Sequence, residues 1–308
     1  MFIKSGYTFL FLIISAGLVS SGTACEGTEV DAIFSPQLYE KARLLHSLHS
    51  KEAPLLLPNA WDALSAKIFE QAGARAIATT SAGMAAVFGY GDGKLPRDLL
   101  FLMVDRIVKS VSIPVTVDLE AGFGDTPDDV CETVLGILKR GAVGINLEDA
   151  DPKRPGHLFS VTEQTEKIKA IKSLAHKVNI PLFVNVRTDI FWLNLGPQEE
   201  KLPETLRRLQ AYQEAGADGV FVPGLTNPDL ISEVSRTIQL PLNLLAGPWI
   251  KDLAGLKLLG VSRLTIGSSA TRDYAGNLKT FAHQYLEGNY TLNPAISYPE
   301  FNALFDNK

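Results

Sequence analysis

The sequence predicts an α/β protein, a single (β/α)8 TIM barrel with a C-terminal helical extension. Three observations predict it. Eight short, almost wholly apolar runs recur along the chain, as parallel strands buried on both faces do. Amphipathic segments separate them, and several close on Gly-Ala before the next strand. Length agrees: a barrel of about 250 residues leaves roughly 60 of the 308 over.

In chain order, residues 1–24 come first and differ from the rest. Lys4 gives a short basic start, Tyr7 to Val19 carries no charge, and Ser20 to Ala24 are small. This is the three-part form of a secretory signal, too short for the ~20 apolar residues that span a bilayer. Cys25 after Ala24 resembles a bacterial lipoprotein cleavage site, although Gly22 stands where that pattern prefers Leu. A lipid anchor at Cys25 and plain cleavage after Ala24 are both open. The expected location in a bacterium is periplasmic or membrane-anchored, and cytoplasmic if this segment is no signal.

Residues 25–54 form an N-terminal segment whose helix, from Pro36 to Ser50, aligns Leu38, Ala42, Leu45 and Leu48 on one stripe. Residues 55–275 form the barrel. Its expected strands are Leu55–Leu57, Ala76–Thr80, Val115–Leu119, Gly144–Leu147, Leu182–Val186, Gly219–Val222, Leu242–Leu245 and Leu264–Ile266. Gly73, Gly141, Gly216 and Gly260 each follow a predicted helix, where glycine takes the left-handed conformation freely. Pro114, Pro181 and Pro241 open strands, where no N–H is owed to the ladder. A doubly wound sheet would need a Gly-rich turn after its first strand, and Leu57-Pro58-Asn59-Ala60 supplies none. Residues 276–308 are a helical tail rich in aromatics.

Composition narrows the function. With 46% apolar and 20% charged residues, the chain can fill a core, so global disorder is excluded. There are 29 basic and 34 acidic residues, a net charge of −5, and no basic excess for nucleic acid. Cys25 and Cys131 are too few for a disulfide framework or a thiolate zinc site.

Active sites of such barrels sit at the C-terminal ends of the strands. There the sequence places Thr79 to Ser81, Asp118, Glu120, Glu148, Asp149, Asn185, Arg187 and Asn243. Carboxylates gathered in one mouth repel unless a cation sits among them. Oxygen ligands favour a hard ion, and Mg2+ takes one or two carboxylates and several waters. Asp118, Glu120 and Glu148 are the metal candidates. His46 and His49, three apart on a helix, are expected at the surface, and Asp125 is expected as an N-cap. Arg187 suits a substrate carboxylate, with an ion pair to Glu148 as its other use. Lys153, Arg154 and His157, in the loop after strand four, are candidates to bring charge or a proton over the site; an ordinary solvated loop is equally compatible.

Six motifs in order resemble the isocitrate lyase / phosphoenolpyruvate mutase superfamily. They are Thr80-Ser81-Ala82-Gly83, Gly89-Tyr90-Gly91-Asp92, Val117 to Gly124, Gly144 to Asp149, Asn185 to Asp189, and Arg263 to Ser269. The resemblance implies Mg2+-dependent making or breaking of C–C or P–C bonds beside a 2-oxo acid, through an enolate. It implies that Asp118 and Glu148 hold the metal, partly through water, with Glu120 as a further acid and Asp92 near the reacting group. Thr80, Ser81 and Ala82 would cradle a 2-oxo or 2-hydroxy carboxylate, and Arg187 would bind its anionic end. It also implies a homo-oligomer pairing through C-terminal helices. One departure stands out. Lyases of the superfamily carry a proton-donating cysteine where this chain has Pro155, and Cys131 lies inside a helix. A lyase or mutase is thus one expectation, and an exported barrel that binds small carboxylates without turnover is the other. A phosphate-binding barrel fits less well, since Gly267-Ser268-Ser269 is a weak phosphate loop.

Overall fold

Pro58 separates the first expected strand, Leu55–Leu57, from a further short one that follows it. Lacking an N–H, it interrupts the ladder, so β1 (Leu55–Leu57) pairs with the last strand while β2 (Asn59–Ala60) pairs with the next. The computed structural model describes residues 34–306 except 290, 292 and 293. The expected signal at 1–24, Cys25 and Tyr290 lie outside the described residues.

After α1 (Pro36–Ser47), β1 and β2, the chain alternates. It runs α2 (Ala63–Gln71), β3 (Ile77–Thr79), α3 (Ser81–Val87), α4 (Arg97–Ser110), β4 (Val115–Asp118), α5 (Pro127–Leu138) and β5 (Gly144–Glu148). It continues α6 (Val161–Lys177), β6 (Phe183–Arg187), α7 (Gln198–Glu214), β7 (Gly219–Phe221), α8 (Pro228–Thr237), β8 (Leu242–Leu245), α9 (Leu253–Leu258) and β9 (Val261–Thr265). Two helices follow, α10 (Ser269–Leu286) and α11 (Tyr298–Ala303). Every strand pair is parallel, in the order β1-β9-β8-β7-β6-β5-β4-β3-β2. The two ends of that order meet at Pro58, so the sheet is a (β/α)8 barrel.

The glycine punctuation holds: Gly73, Gly141, Gly216 and Gly260 have φ of 95, 93, 102 and 73°. Three expectations change. β9 begins at Val261, so Arg263 lies within the barrel wall. Helix α7, expected from the sequence over Glu204–Ala215, starts six residues earlier at Gln198, with Pro203 inside it. Helix α10 crosses the division expected at 275/276, because it starts directly from the last barrel turn.

Helix α1 closes the N-terminal end of the barrel. Ala42 and Leu45 are fully buried, and a Cβ on Gly144 would stand 2.7 Å from Leu45 Cδ2. Gly144 therefore admits the plug. His46 and His49 are not at the surface, as their helical spacing alone suggested. His46 Nε2 lies 3.1 Å from the Pro181 carbonyl, and the His49 ring stacks on Phe183 at 4.0 Å. Burial first, then the nearby positive charge of Arg263, lowers the His49 imidazole to about 3.

Candidate functional site

Side chains alternate in direction along a strand, and β6 shows the layers this makes. Phe183 meets the α1 plug, Asn185 lies in the middle, and Arg187 reaches the C-terminal mouth. A polar row crosses the middle of the barrel. Asn185 Nδ2 donates to Asn146 Oδ1 at 3.1 Å, and Asn146 Nδ2 donates to Asp118 Oδ1 at 3.1 Å. Asp118 Oδ2 accepts from the Ser81 N–H at 3.2 Å and its Oγ at 2.8 Å.

Ser81 opens α3 and Thr80 is its N-cap, accepting from the Gly83 N–H. The expected turn is thus a helix start, and at least the Ser81 N–H points at a carboxylate of the protein itself. A helix N-terminus favours such a negative charge.

Above this row lies a cavity of ≈ 140 Å³. Thr80, Ser81, Ala82, Asp92, Asp118, Arg187 and Asn243 all line it, so the structure brings these expected site residues together. Glu120 lines a neighbouring groove, on a backbone held at φ 48°. The Glu120 carbonyl accepts from the Glu148 N–H at 2.9 Å, which places the two acids side by side.

Arg187 is tied rather than free. Its Nε and Nη2 donate to Asp189 at 2.6 and 2.9 Å, and its Nη1 lies 3.0 Å from Glu148. The ion pair to Glu148, expected as the other use of Arg187, is therefore present. Of a guanidinium's five N–H bonds, two remain for a ligand.

Asp92, Asp118, Glu120 and Glu148 outnumber the arginines whose charge reaches them, Arg187 and Arg263. Burial pushes the Glu120 carboxyl up to about 7, and the charges of Asp118 and Asp92 add to this. Its Oε1 is buried with no hydrogen-bond partner. Burial also raises Glu148, which Arg187 offsets only in part. Asp92, at the cavity rim, is raised by partial desolvation and then by Asp118. Among the described residues, no three His, Cys, Asp or Glu side chains stand ready to enclose a metal alone. Such an excess of oxygen charge, with one orphaned carboxylate oxygen, fits a hydrated hard cation.

The structure does not bring Lys153, Arg154 and His157 to the cavity. An isolated bridge between Ala150 and Leu158 folds their loop outward. Lys153 pairs with Asp125 at 2.6 Å and Arg154 with Asp151 at 2.6 Å, so their charges are answered locally. His157 is exposed, with Nδ1 3.3 Å from the Pro155 carbonyl. Asp125 is thus an ion-pair partner, and Thr126 is the N-cap. Asp149 does not converge with the other carboxylates. It turns into the barrel wall, where it accepts from Tyr212 Oη at 2.7 Å, Arg208 Nη1 at 3.2 Å and the Asp189 N–H at 3.0 Å.

Two cavity residues escaped the sequence reading. Asn59 Oδ1 accepts from the Ile266 and Gly267 N–H groups, and its Nδ2 donates to the Thr79 carbonyl. Arg263, 2% exposed, lies in register with Asn243 on the neighbouring strand. The available signal was a lone charge inside an apolar strand, since arginine is almost never fully buried unpaired.

With the geometry established, comparison with known proteins adds three relatives and one family model. The model described as phosphoenolpyruvate phosphomutase matches residues 45–286. An uncharacterised protein of Mycobacterium tuberculosis (strain ATCC 25618 / H37Rv) is 34% identical over 260 residues, 84% of this chain and 94% of that one. The 2,3-dimethylmalate lyase of Eubacterium barkeri is 29% identical over 280 residues, 85% and 93% of the two chains. The crystal structure of a phosphonopyruvate hydrolase complex with oxalate and Mg++ matches with a TM-score of 0.74 at 27% identity. It covers 86% of this chain and 94% of that one.

Proposed function

The chain belongs to the phosphoenolpyruvate phosphomutase family, within the isocitrate lyase / phosphoenolpyruvate mutase superfamily of enzymes, and from that premise we propose a specific chemistry. The protein makes or breaks a C–C or P–C bond beside a 2-oxo acid, through an enolate, with Mg2+ as cofactor. The carrying observation is the acid cluster of Asp92, Asp118, Glu120 and Glu148, which outnumbers the neighbouring Arg187 and Arg263. The Mg2+ complex of the related hydrolase supports the choice of ion.

Asp118, with Asp92 and Glu120, would hold the ion; Glu148, already paired to Arg187, would reach it through water. When bound, Mg2+ supplies Lewis-acid stabilisation of the charge that develops on the substrate's α-oxygen. The chain's own residues do the rest. Arg187 orients the substrate carboxylate through its two remaining N–H bonds. Ser81 and Asn146 fix the Asp118 carboxylate in place before substrate arrives. Pro155 has no proton to give, and Lys153, Arg154 and His157 beside it do not line the cavity, which favours reactions that draw no proton from that loop.

The test is a panel of 2-oxo and 2-hydroxy acids and phosphonopyruvate, assayed with Mg2+ for pyruvate release or consumption. Turnover that chelator abolishes and Asp118→Ala eliminates is the expected outcome. No turnover anywhere on the panel would sink the reading. The same loop geometry favours a second reading, a carboxylate-binding barrel without turnover. It predicts thermal shifts with oxalate in the absence of any reaction.

A further inference from the structure

We propose that Gln164 and Lys167, one turn apart on α6, are positioning residues that fix the main chain at Glu148 and beside Glu120, so that both carboxylates are set for the metal ion. The proposal rests on the reading above, in which those acids serve Mg2+.

Both side chains are buried, Gln164 at 0% and Lys167 at 2% exposure. Gln164 Nε2 donates to the Glu148 carbonyl at 3.1 Å. Lys167 Nζ donates at 3.3 Å to the carbonyl of Ala121, the residue after Glu120. The same ammonium lies 3.5 Å from the centre of the Phe159 ring. Phe159 is itself held on both sides: its N–H donates to the Asp149 carbonyl at 2.8 Å, and its carbonyl accepts from Arg208 Nη1 at 2.9 Å. Lys167 therefore ties the turn after β4 to the end of the loop that leads into α6.

The turn after β4 needs such a tie. Glu120, Gly122 and Phe123 have φ of 48, 108 and 57°, and the left-handed region is unfavourable for the two that carry a Cβ. Backbone of this kind persists only where its surroundings over-determine it. Here the Glu148 N–H holds the Glu120 carbonyl, and Lys167 holds the next one. Ile168 and Ile171 on the same helix fill the core with apolar side chains. An apolar residue at 167 would avoid desolvating an ammonium. Gln164 carries a similar penalty, since its Oε1 is buried with no hydrogen-bond partner among the described residues. Two unfavourable burials one turn apart, each donating to a carbonyl at or next to a metal-facing acid, serve the site rather than the core.

The experiment is calorimetric titration of the metal-free full chain with Mg2+ alone, beside thermal melting without metal. Repulsion between the Lys167 charge and the ion, acting alone, predicts tighter Mg2+ binding once the ammonium is gone; positioning predicts the reverse. Lys167→Met is expected to weaken Mg2+ binding at least tenfold while the metal-free melting temperature holds or rises, and Lys167→Arg is expected to recover part of the affinity. If Lys167→Met does not fold, Gln164→Met carries the comparison, with a loss in the same direction. Affinity unchanged or tighter in a folded variant, or lost in step with the melting temperature, overturns the proposal. Mg2+ failing to bind the unsubstituted protein would instead refute the reading it rests on.

Discussion

Ser81 and Asp118, 37 residues apart, meet through two hydrogen bonds to one carboxylate oxygen, from the serine N–H at 3.2 Å and its Oγ at 2.8 Å. The backbone bond survives substitution and the hydroxyl bond does not. Ser81→Ala is therefore expected to leave the fold nearly as stable, within about 1 kcal/mol. It should lower kcat/KM about tenfold through a less well-fixed carboxylate, and Ser81→Thr should restore part. Steady-state kinetics beside thermal melting checks this; equal losses in both would refute it.

Glu120 makes stability depend on pH. Its carboxyl titrates at about 7 when folded, against 4.5 as the ordinary value. Between those values the folded protein keeps a proton that the unfolded chain has released, so stability falls as pH rises through that window. The loss is on the order of 3 kcal/mol. Metal-free protein should thus melt lower at pH 8 than at pH 5, and Glu120→Gln should flatten the profile. Mg2+ should raise the melting temperature more at pH 8. A flat profile in the unsubstituted protein would contradict this.

His49 acts at the other end of the barrel and with the opposite sign. Its imidazole titrates at about 3 when folded, against 6.5. Below 6.5 the unfolded chain binds a proton that the folded one refuses, so stability falls as pH drops toward about 3. His49→Phe keeps the stack on Phe183 and should remove much of that acid sensitivity. Denaturant titrations at pH 7 and pH 4 would read the difference.

Asp149 is fully buried among Tyr212, Arg208 and the Asp189 N–H. Asp149→Ala removes the acceptor that Tyr212 and Arg208 share, while Arg208 keeps Glu204 and the Phe159 carbonyl, and should destabilise the protein by about 1–3 kcal/mol. Asp149→Asn, which still accepts, should cost less. Urea unfolding of both variants settles the ranking.

Pro155→Cys tests the loop. A cysteine there would sit among exposed residues held by local ion pairs, away from the cavity. Cleavage of isocitrate or methylisocitrate is expected to stay absent. Its appearance would show that the loop swings over the site.

The barrel was legible in the sequence because buried parallel strands and helix-ending glycines leave local marks, as Gly73, Gly141 and Gly216 do. Asp118, Arg187 and Asn243 were legible because strand ends in such a barrel point to one mouth. Asp149 was not, because adjacent residues on a strand face opposite sides and the neighbouring Glu148 gave no sign of which faced in. The outward fold of the 151–157 loop was hidden too. It includes Lys153 meeting Asp125, a pairing with a distant loop that no local pattern encodes. Arg263 escaped because the expected start of β9 at Leu264, three residues late, placed it outside the wall.

The seam at Pro58 has a consequence for how the chain folds. Asn59 binds the N–H groups of Ile266 and Gly267, partners 207 and 208 residues away. No earlier segment can supply them, so the wall stays open until nearly the whole barrel has been synthesised. Contacts of such separation slow folding, because the closure entropy is met before the contact forms. A chain stopped before β9 would present two unsealed sheet edges, the surfaces on which strands add and aggregation begins.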